Sequence, residues 1–431
     1  MNTYQKIMSC TLGVILAINT SYAAQLKENS TKVFPGVIPD EKPTDIPLSA
    51  ATQRLYDVWN PHEDRGNELY SNFKYSQLEG LAYTGSMSRR DPSKVIKIDG
   101  TYYVWYTKRA TENFPVWRQG TETNPSADWD LADIWYATSQ DGFSWEEKGI
   151  AVARPEKPGH GWRSVATPDI LIWKGKYYLY YQAFNAAPGN GNGDRAAATV
   201  AWSDSVTGPW TAVGHDVVPF GKSNEWDENA IHDPYPLVYK GKIHLYYKGS
   251  PGQGGRNGTL IRAQGVAISD NPLGPFTKSP FNPVINSGHE TGLFPYKGGI
   301  AAIVSLDGPE KNTVQYAEDG INFHPVSMLM IPPVAPGPFV ADAFLGDGNG
   351  RGITWGLMHL DATDAQGNPY KKLGRFDCDL SLDVDIPILK KNNLRFNEET
   401  YFQPKVVLPR KMKREILQKQ SKQDKNMILP K

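Results

Sequence analysis

The chain has 431 residues with 46 basic and 46 acidic side chains, and its isoelectric point lies near 7.1. This balance of charge excludes the strongly basic surface that nucleic acid or another polyanion would require. With 40 glycines, 33 prolines, 22 tyrosines and few long stretches of helical periodicity, the sequence favours one large all-β domain over several small ones.

Residues 1–23 have the features of a secretory signal peptide. Lys6 precedes an apolar run over residues 7–18, and residues 21–23 offer small side chains at the usual cleavage spacing. The apolar run is too short for a membrane span. We therefore expect export across the inner membrane, to the periplasm or the extracellular space.

Residues 24–85 form an extended arm followed by a helical element. The stretch from Val33 to Pro47 is rich in proline and acidic residues and has no periodicity, which predicts an extended backbone. Ser49 is a plausible helix N-cap, and Leu55 begins an apolar stripe along the turns that follow. One interpretation is a short helix that packs on its own domain.

Three segments of the sequence share one pattern. An ionisable residue beside a proline precedes a strand, a tight Asp-Gly or Lys-Gly turn, and a second strand rich in aromatic residues. A weaker fourth copy follows His289 and Glu290. Carboxylates therefore recur in register with a structural repeat. The four copies begin at Arg90-Asp91-Pro92, Thr167-Pro168-Asp169, His232-Asp233-Pro234 and Leu293-Phe294-Pro295.

A second kind of hairpin lies between these segments, and an aromatic residue follows each of its turns. Two hairpins per unit, with units spaced by roughly 60 to 80 residues, predict four-stranded propeller blades with long connections. Counting a last unit near residues 341–360 gives a five-bladed β-propeller over residues 86–380. Residues 381–431 then form a C-terminal extension with a basic tail.

A propeller would gather the repeated acids into one place. The first strand of each blade lies nearest the axis, so equivalent residues of successive blades surround one mouth of the channel. We expect the proline after Asp91 and Asp233 to favour an extended backbone that aims both side chains into the channel. Asp169 follows its proline, so its phase along the strand differs. The alternative for each acid is a turn former at the head of a strand.

The N-terminal helix carries a more specific signal. Ser49-Ala50-Ala51-Thr52-Gln53-Arg54 fits the Ser-x-Ala-x-x-Arg motif of glycoside hydrolase family 117. The downstream repeats resemble the five-bladed propeller of that family, so the resemblance covers nearly the whole mature chain. It implies an N-terminal helical element that is exchanged between the subunits of a homodimer.

The resemblance also implies an activity. Family 117 enzymes cleave the α-1,3 linkage at the non-reducing end of neoagarobiose and longer neoagaro-oligosaccharides, which releases 3,6-anhydro-L-galactose. They resemble the inverting glycosidases of family 43. Residue by residue, Asp91 matches the general base, Asp233 matches a second essential carboxylate, and His289 matches an unusual histidine general acid. The implied ligand is a neutral oligosaccharide.

This assignment agrees with the chemistry of acetal hydrolysis. Inversion needs one group to deprotonate a water molecule and another to protonate the leaving oxygen. An imidazolium near neutral pH can donate that proton, provided that a neighbouring carboxylate keeps it charged. Asp233 is the expected neighbour, and Glu290 is the alternative. Without the resemblance, His289 would be interpreted as a surface or core histidine.

Other residues near the strand ends could hydrogen-bond to sugar hydroxyls or stack on a sugar ring. Asp169 resembles the Pro-Asp carboxylate that tunes the acid in family 43, and we expect it to bind sugar hydroxyls here. The alternative for a tryptophan is packing between blades. The predicted substrate contacts are Asp169, His232, Thr167, Gln182, Arg163, Glu290 and Trp129.

The sequence contains neither a His-x-x-x-His nor a paired-cysteine spacing, so it does not predict a tight structural metal site. The resemblance implies a divalent cation, Zn or Mg, that is held through waters near the propeller axis, and no organic cofactor.

Two rival functions fit the repeats. One is another exo-glycosidase of the same superfold, such as an α-L-arabinofuranosidase or a β-xylosidase, and the other is a non-catalytic sugar-binding propeller. The Ser-x-Ala-x-x-Arg motif argues against the first of these, as does a histidine where those enzymes place a glutamic acid.

Overall fold

The computed structural model describes residues 33–56, 68–81, 87–188, 195–251, 262–329 and 331–390. The regular structure in these ranges is almost entirely β-strand, which confirms the predicted all-β class. No helix within the described ranges is long and apolar enough to cross a membrane. The signal peptide and the basic tail lie outside the described residues, and both stay predictions.

A short helix, α1 (Ala50–Gln53), and a 3-10 turn over Arg54–Tyr56 form the described part of the N-terminal element. The predicted N-cap is confirmed, because the hydroxyl of Ser49 accepts a hydrogen bond from the backbone N–H of Thr52. The rest of the predicted helix, from residue 57, lies outside the described residues. Exchange of this element between subunits stays a prediction.

Strand β1 (Lys74–Gln77) precedes three sheets whose strands are antiparallel and mostly follow one another in chain order. The first sheet contains β2 (Met87–Arg90), β3 (Ile96–Ile98), β4 (Thr101–Ala110), β5 (Ala132–Ser139) and β6 (Trp145–Val152). The second contains β7 (Ser164–Trp173), β8 (Lys176–Phe184), β9 (Ala197–Ser203) and β10 (Thr211–Ala212). The third contains β11 (Ala230–Tyr239), β12 (Lys242–Ser250), β13 (Ala263–Ser269) and β14 (Thr277–Lys278).

The fourth sheet has eight strands in two runs. The first run contains β15 (Gly292–Lys297), β16 (Gly299–Val304), β17 (Thr313–Ala317) and β18 (His324–Met328). The second contains β19 (Gly337–Pro338), β20 (Gly350–Thr363) and β21 (Pro369–Ser381), after which the chain forms α2 (Pro387–Lys390). The runs are joined where Tyr296 and Lys297 of β15 pair with Arg351 and Gly350 of β20.

The last unit is longer than residues 341–360, the stretch from which it was counted. It continues to the end of β21, well beyond residue 360, and β1 completes it by pairing with β21. Residues 74–77, which were expected in the N-terminal arm, therefore belong to a sheet. The five predicted blades are seen as four hydrogen-bonded sheets, because β15 and β20 share two residue pairs.

The predicted tight turns connect the first two strands of each repeat. In the first three repeats both central residues have positive φ, for example 46° at Asp99 and 84° at Gly100, or 51° at Lys174 and 78° at Gly175. Turns of this kind match the right-handed twist of the strands they join, and glycine adopts the second position without steric strain. The Asp-Gly and Lys-Gly pairs therefore fix the register of these hairpins.

Apolar side chains fill the space between neighbouring sheets. Trp105, Trp145 and Trp226 are at most 2% exposed, and Trp105 packs with Ile134, Ile170 and other residues between the first and second sheets. For these tryptophans, packing between sheets explains the residue type.

The backbone before each proline does not have the predicted extended conformation. Asp91, Thr167 and Asp233 have φ angles of 51°, 50° and 49°, in the left-handed region. In β7 and β11 these residues interrupt the regular strand pairing. A following proline disfavours only the right-handed helical region, and an irregularity in the strand re-aims the side chain. Thr167, rather than Asp169, is therefore the counterpart of Asp91 and Asp233.

Two further left-handed residues, Glu290 with φ of 58° and Ala335 with φ of 50°, lie close to these three. All five left-handed residues, each with the residue that follows it, line one cavity of about 30 Å³. Equivalent residues from successive units around one small space are the arrangement expected at a propeller axis.

Candidate active site

A larger cavity of about 290 Å³ lies beside the ring of left-handed residues and shares Asp91, Thr167, Asp233 and Glu290 with it. All three predicted catalytic residues line this cavity, and so do five of the seven predicted substrate contacts. Asp169 and Arg163 do not. The residues brought together are Asp91, Asp233, His289, His232, Thr167, Gln182, Glu290 and Trp129.

Asp91 is a buried carboxylate with fixed partners. Its Oδ2 atom lies 2.7 Å from Nε of Arg90 and accepts a hydrogen bond from Thr167, while Nδ1 of His359 lies 3.1 Å from Oδ1. Burial opposes ionisation, but Arg90 and His359 outweigh it and lower the pKa of Asp91 well below its usual range. Asp91 is therefore ionised throughout the physiological range of pH.

Arg90 joins Asp91 to Glu290. Its Nη2 atom donates to Oε1 of Glu290 at 2.8 Å, and its guanidinium lies 4.8 Å from the centre of the Trp129 ring. Burial disfavours the charged guanidinium, but Asp91 and Glu290 more than compensate and raise the pKa of Arg90. One cation thus fixes two carboxylates that are distant in the chain, together with an aromatic ring of the cavity wall.

Asp233 has a separate counter-charge. Nζ of Lys248 lies 2.9 Å from its Oδ2 atom, and Nε2 of Gln182 donates to its Oδ1 atom at 3.0 Å. Burial raises the pKa of Asp233, but Lys248 and His289 lower it to about 2. The backbone N–H of Glu290 also donates to Asp233, so this carboxylate holds the segment that carries His289.

His289 has a carboxylate neighbour other than the expected one. Its Nδ1 atom lies 3.2 Å from Oδ2 of Asp307, and its Nε2 atom lies 3.8 Å from Oε1 of Glu290. The prediction that Asp233 is the neighbouring carboxylate is corrected, because Asp233 pairs with Lys248 instead. Hydrogen bonding to His289 is the main cause that lowers the pKa of Asp307.

His232 lines the cavity as a neutral side chain. Burial, reinforced by Lys248, lowers its pKa to about 3, and its Nε2 atom has no hydrogen-bond partner among the described residues. A neutral imidazole nitrogen without a partner can bond to a sugar hydroxyl. The predicted contact of His232 with substrate stays a prediction.

Asp169 lies in a buried ion pair. Its carboxylate accepts hydrogen bonds from Nζ of Lys94 and from the backbone N–H groups of Lys94 and Ile170. It lines the smaller cavity but not the larger one. The predicted contact with sugar hydroxyls is therefore corrected. Asp169 comes two residues after Thr167, which is the left-handed residue of this repeat.

Replacing Asp169 with asparagine is expected to lower the free energy of unfolding by about 3 to 5 kcal/mol, because Lys94 would be left buried without its counter-charge. The measurement is denaturant unfolding. Asp204→Asn is a matched control, since Asp204 pairs with Lys176 where both side chains are exposed, and its loss should stay below about 1 kcal/mol. Equal losses in the two variants would contradict the structural role.

Arg163 also has a structural position. It bonds to both carboxylate oxygens of Asp130 and to the backbone carbonyls of Thr121 and Asn124. The predicted sugar contact is corrected for two reasons. The guanidinium of Arg163 already donates to these partners, and the residue is only 2% exposed. Arg163 instead supports the segment between β4 and β5, which brings Trp129 to the cavity.

Four charged or titratable partners of the proposed catalytic residues were not predicted, although one of them has a signal in the sequence. A polar residue follows the aromatic pair in the second strand of each early repeat, as Thr107, Gln182 and Lys248. Thr107 and Gln182 contact the left-handed residue of the next unit, Thr167 and Asp233 respectively. Lys248 contacts the left-handed residue of its own unit, Asp233. No comparable pattern marks the other three. The four residues are Arg90, Lys248, Asp307 and His359.

Three buried residues could hold the expected divalent cation. Asp91, Glu290 and His359 each place one ligand atom so that all three atoms lie within 4.8 Å of one another. Two carboxylates and an imidazole form a donor set that zinc accepts, and magnesium uses the carboxylates. The residues fit such an ion, although Arg90 already bonds to one oxygen of each carboxylate. The cation stays a prediction.

Comparison with known proteins places this geometry in context. No family model matches the chain. Xylosidase/arabinosidase 43A of Humicola insolens is 28% identical over 148 residues, or 31% of this chain, and the match spans only 43% of that relative. A solved glycoside hydrolase structure is 12% identical with a TM-score of 0.51, over 80% of this chain and 96% of its own, which supports the fold alone.

A second solved structure is much more similar. Zg3597, a family 117 glycoside hydrolase produced by the marine bacterium Zobellia galactanivorans, is 52% identical with a TM-score of 0.72. The β fold and the carboxylate-lined cavity, taken with this similarity, define a glycoside hydrolase. The alignment covers 79% of this chain and 100% of Zg3597. The chain belongs to glycoside hydrolase family 117.

Proposed function

We propose that the protein is an exo-acting, inverting hydrolase that cleaves the α-1,3 linkage at the non-reducing end of neoagarobiose and neoagaro-oligosaccharides. The product would be 3,6-anhydro-L-galactose. The observation that carries this proposal is that Asp91, Asp233 and His289, which match three family 117 site residues, line one cavity. Membership of family 117 supports the substrate class.

In the proposed reaction, Asp91 is the general base. Its carboxylate takes a proton from a water molecule while the water oxygen bonds to the anomeric carbon, on the face opposite the leaving sugar. Arg90 and Thr167 hold Oδ2 of Asp91, and His359 lies beside Oδ1. The carboxylate is therefore oriented before substrate binds, and a free lone pair can accept the proton.

His289 is the proposed general acid. The bond between the anomeric carbon and the bridging oxygen breaks, and the imidazolium gives its proton to that oxygen, so the neutral sugar leaves. Asp307 and Glu290 lie within 4 Å of the ring nitrogens, so carboxylates on both sides can orient the ring. Asp233 adds negative potential nearby, and its ion pair with Lys248 fixes its position.

The cavity suits a neutral sugar ligand. Its charged and polar side chains pair with one another, and they can also form hydrogen bonds with the hydroxyl groups of a sugar. Trp117 and Trp129 supply aromatic faces on which a sugar ring can stack. If a divalent cation is bound, Asp91, Glu290 and His359 would hold it, where its charge would polarise a nearby oxygen.

We also infer a five-bladed propeller whose fifth blade is formed by β20, β21 and β1. Support comes from the five left-handed residues around one axial cavity, since each unit contributes one. The pairing between β15 and β20 then joins two adjacent blades at one end.

One experiment separates this function from its rivals. Purified protein is incubated with neoagarobiose and with aryl α-L-arabinofuranoside and aryl β-D-xyloside, and the products are identified by chromatography. We expect 3,6-anhydro-L-galactose and galactose from the first substrate and no turnover of the other two. Release of a pentose would favour the related exo-glycosidase, and binding without any product would favour a sugar-binding propeller.

A further inference from the structure

Two loops beside the cavity are fastened to each other. The loop before β15 carries His289, and the loop between β16 and β17 carries Asp307. The backbone N–H of Gly288 donates to the carbonyl of Asp307 at 3.1 Å, and the N–H of Glu310 donates to Oγ of Ser287 at 2.9 Å. The position of one loop therefore sets the position of the other.

The contact between the loops is too close for other side chains. Gly308 has φ of 83°, and a Cβ atom there would lie 2.4 Å from Oγ of Ser287. Only glycine fits this approach without strain. The turn that carries Asp307 is thus packed directly on the segment that leads into His289.

Asp307 reaches the imidazole through this packing. Its Oδ2 atom lies 3.2 Å from Nδ1 of His289, which leaves Nε2, on the side of Glu290, as the nitrogen that can give a proton to substrate. A carboxylate on one ring nitrogen fixes both the orientation of the ring and the nitrogen that faces the reaction. Arg262 lies 3.8 Å from Asp307 and balances its charge.

The N-terminal Ser49–Arg54 segment holds both loops from the other side. Oγ of Ser49 donates to the carbonyl of Pro283 at 2.6 Å, and Nδ2 of Asn286 donates to the carbonyl of Ala51 at 3.1 Å. These two bonds secure the loop that leads to His289.

The second loop is held by an ion pair. Nε and Nη2 of Arg54 donate to the two carboxylate oxygens of Glu310 at 2.7 and 3.0 Å. Exposure of the two side chains is only 10% for Arg54 and 2% for Glu310. Both end residues of the Ser-x-Ala-x-x-Arg motif therefore contact the loops that carry the proposed acid and its carboxylate partner.

We propose that Asp307 is a positioning residue for His289, and that the Ser49–Arg54 segment keeps this pair in place through the Arg54–Glu310 ion pair. The inference rests on the proposed function, because it assigns a role to residues that act through the general acid. The N-terminal motif would then support catalysis as well as assembly, whichever copy of the chain supplies it.

The first test compares two substrates that differ in their need for an acid. Asp307→Asn should lower kcat on neoagarobiose roughly tenfold to a hundredfold, as expected when a general acid is misplaced. On a 4-nitrophenyl glycoside of 3,6-anhydro-α-L-galactose the loss should be less than about threefold, because nitrophenolate leaves without a proton. The readout is the ratio of the two losses.

Asp99→Asn is the matched control, since Asp99 also precedes a glycine and has φ of 46°, but lies in the turn between β3 and β4. It should leave both rates unchanged. Equal losses on the two substrates in Asp307→Asn, or no loss on either, would overturn the positioning role. Wild-type protein that turns over neither substrate would instead contradict the proposed function.

The second test addresses the N-terminal segment. Arg54→Ala should reproduce the selective loss on neoagarobiose. Arg351→Ala is a control that breaks another arginine–carboxylate ion pair, to Asp383, at the surface. Melting temperatures are recorded for both variants. If Arg54→Ala loses activity equally on both substrates, or loses none, the segment does not act through the acid and that step is refuted.

Discussion

Replacing Asp91 with asparagine is expected to lower kcat on neoagarobiose roughly 10²- to 10⁴-fold, the range that a general base contributes. Asparagine keeps the shape of the side chain but cannot accept the proton of the attacking water. Arg90 would keep its bond to Glu290, so the cavity should hold its form. Substrate affinity, measured by calorimetry, should therefore change little.

The outcome is checked by product release under saturating substrate. Asp99→Asn again serves as the control, because it makes the same change in a left-handed aspartate outside the cavity. A variant at Asp91 with the rate of the wild type would refute the assignment of the base. Loss of binding without loss of kcat would assign Asp91 to substrate recognition instead.

The ion pair of Asp91 has two opposed effects on this role. Arg90 and His359, acting against burial, lower the pKa of Asp91 well below its usual range, which keeps the base ionised as pH falls through the acidic range of ordinary carboxylates. The same pairing lowers the affinity of Asp91 for a proton, and a base works best when its pKa is near the working pH.

Replacing His289 with alanine is expected to remove most activity on neoagarobiose, by roughly 100-fold or more, because the leaving sugar would depart without a proton. An imidazole donates only when it is protonated, so a histidine acid makes the rate fall as pH rises through its titration. In His289→Ala that basic limb of the rate profile should disappear. The measurement is kcat against pH for both proteins.

His215→Ala is a suitable control, since His215 is exposed and lies outside the cavity. It should leave the rate and its pH profile unchanged. If both the acidic and the basic limb survived in His289→Ala, another group would have to be the acid. Glu290 would then be the first candidate, because it lies beside His289 and lines the same cavity.

Much of this architecture could be predicted from local sequence. The Asp-Gly and Lys-Gly turns set the hairpins because both positions need positive φ, and the repeated spacing placed Asp91 and Asp233 on equivalent strands. Those signals depend on a few neighbouring residues. Taken with the resemblance to family 117, they led to ten predicted site residues, of which eight line one cavity.

The remaining features depend on contacts between distant segments. Asp169 and Thr167 differ by two positions, and only the strand irregularity shows which of them faces the cavity. Asp307 follows no repeat and reaches His289 through the packing of two loops. His359 lies in the last unit, where the sequence pattern is weakest. A short motif carries no information about such tertiary neighbours.

The pairing of β1 with β21 has a consequence for how the molecule is completed. One partner comes from the beginning of the described chain and the other from near its end, so the final sheet can close only after almost the whole polypeptide has been synthesised. Until then β1 lacks the strand with which it pairs. In a shortened protein that began after Gln77, the edge of β21 would be unpaired and could pair with other molecules. Self-association would then compete with folding.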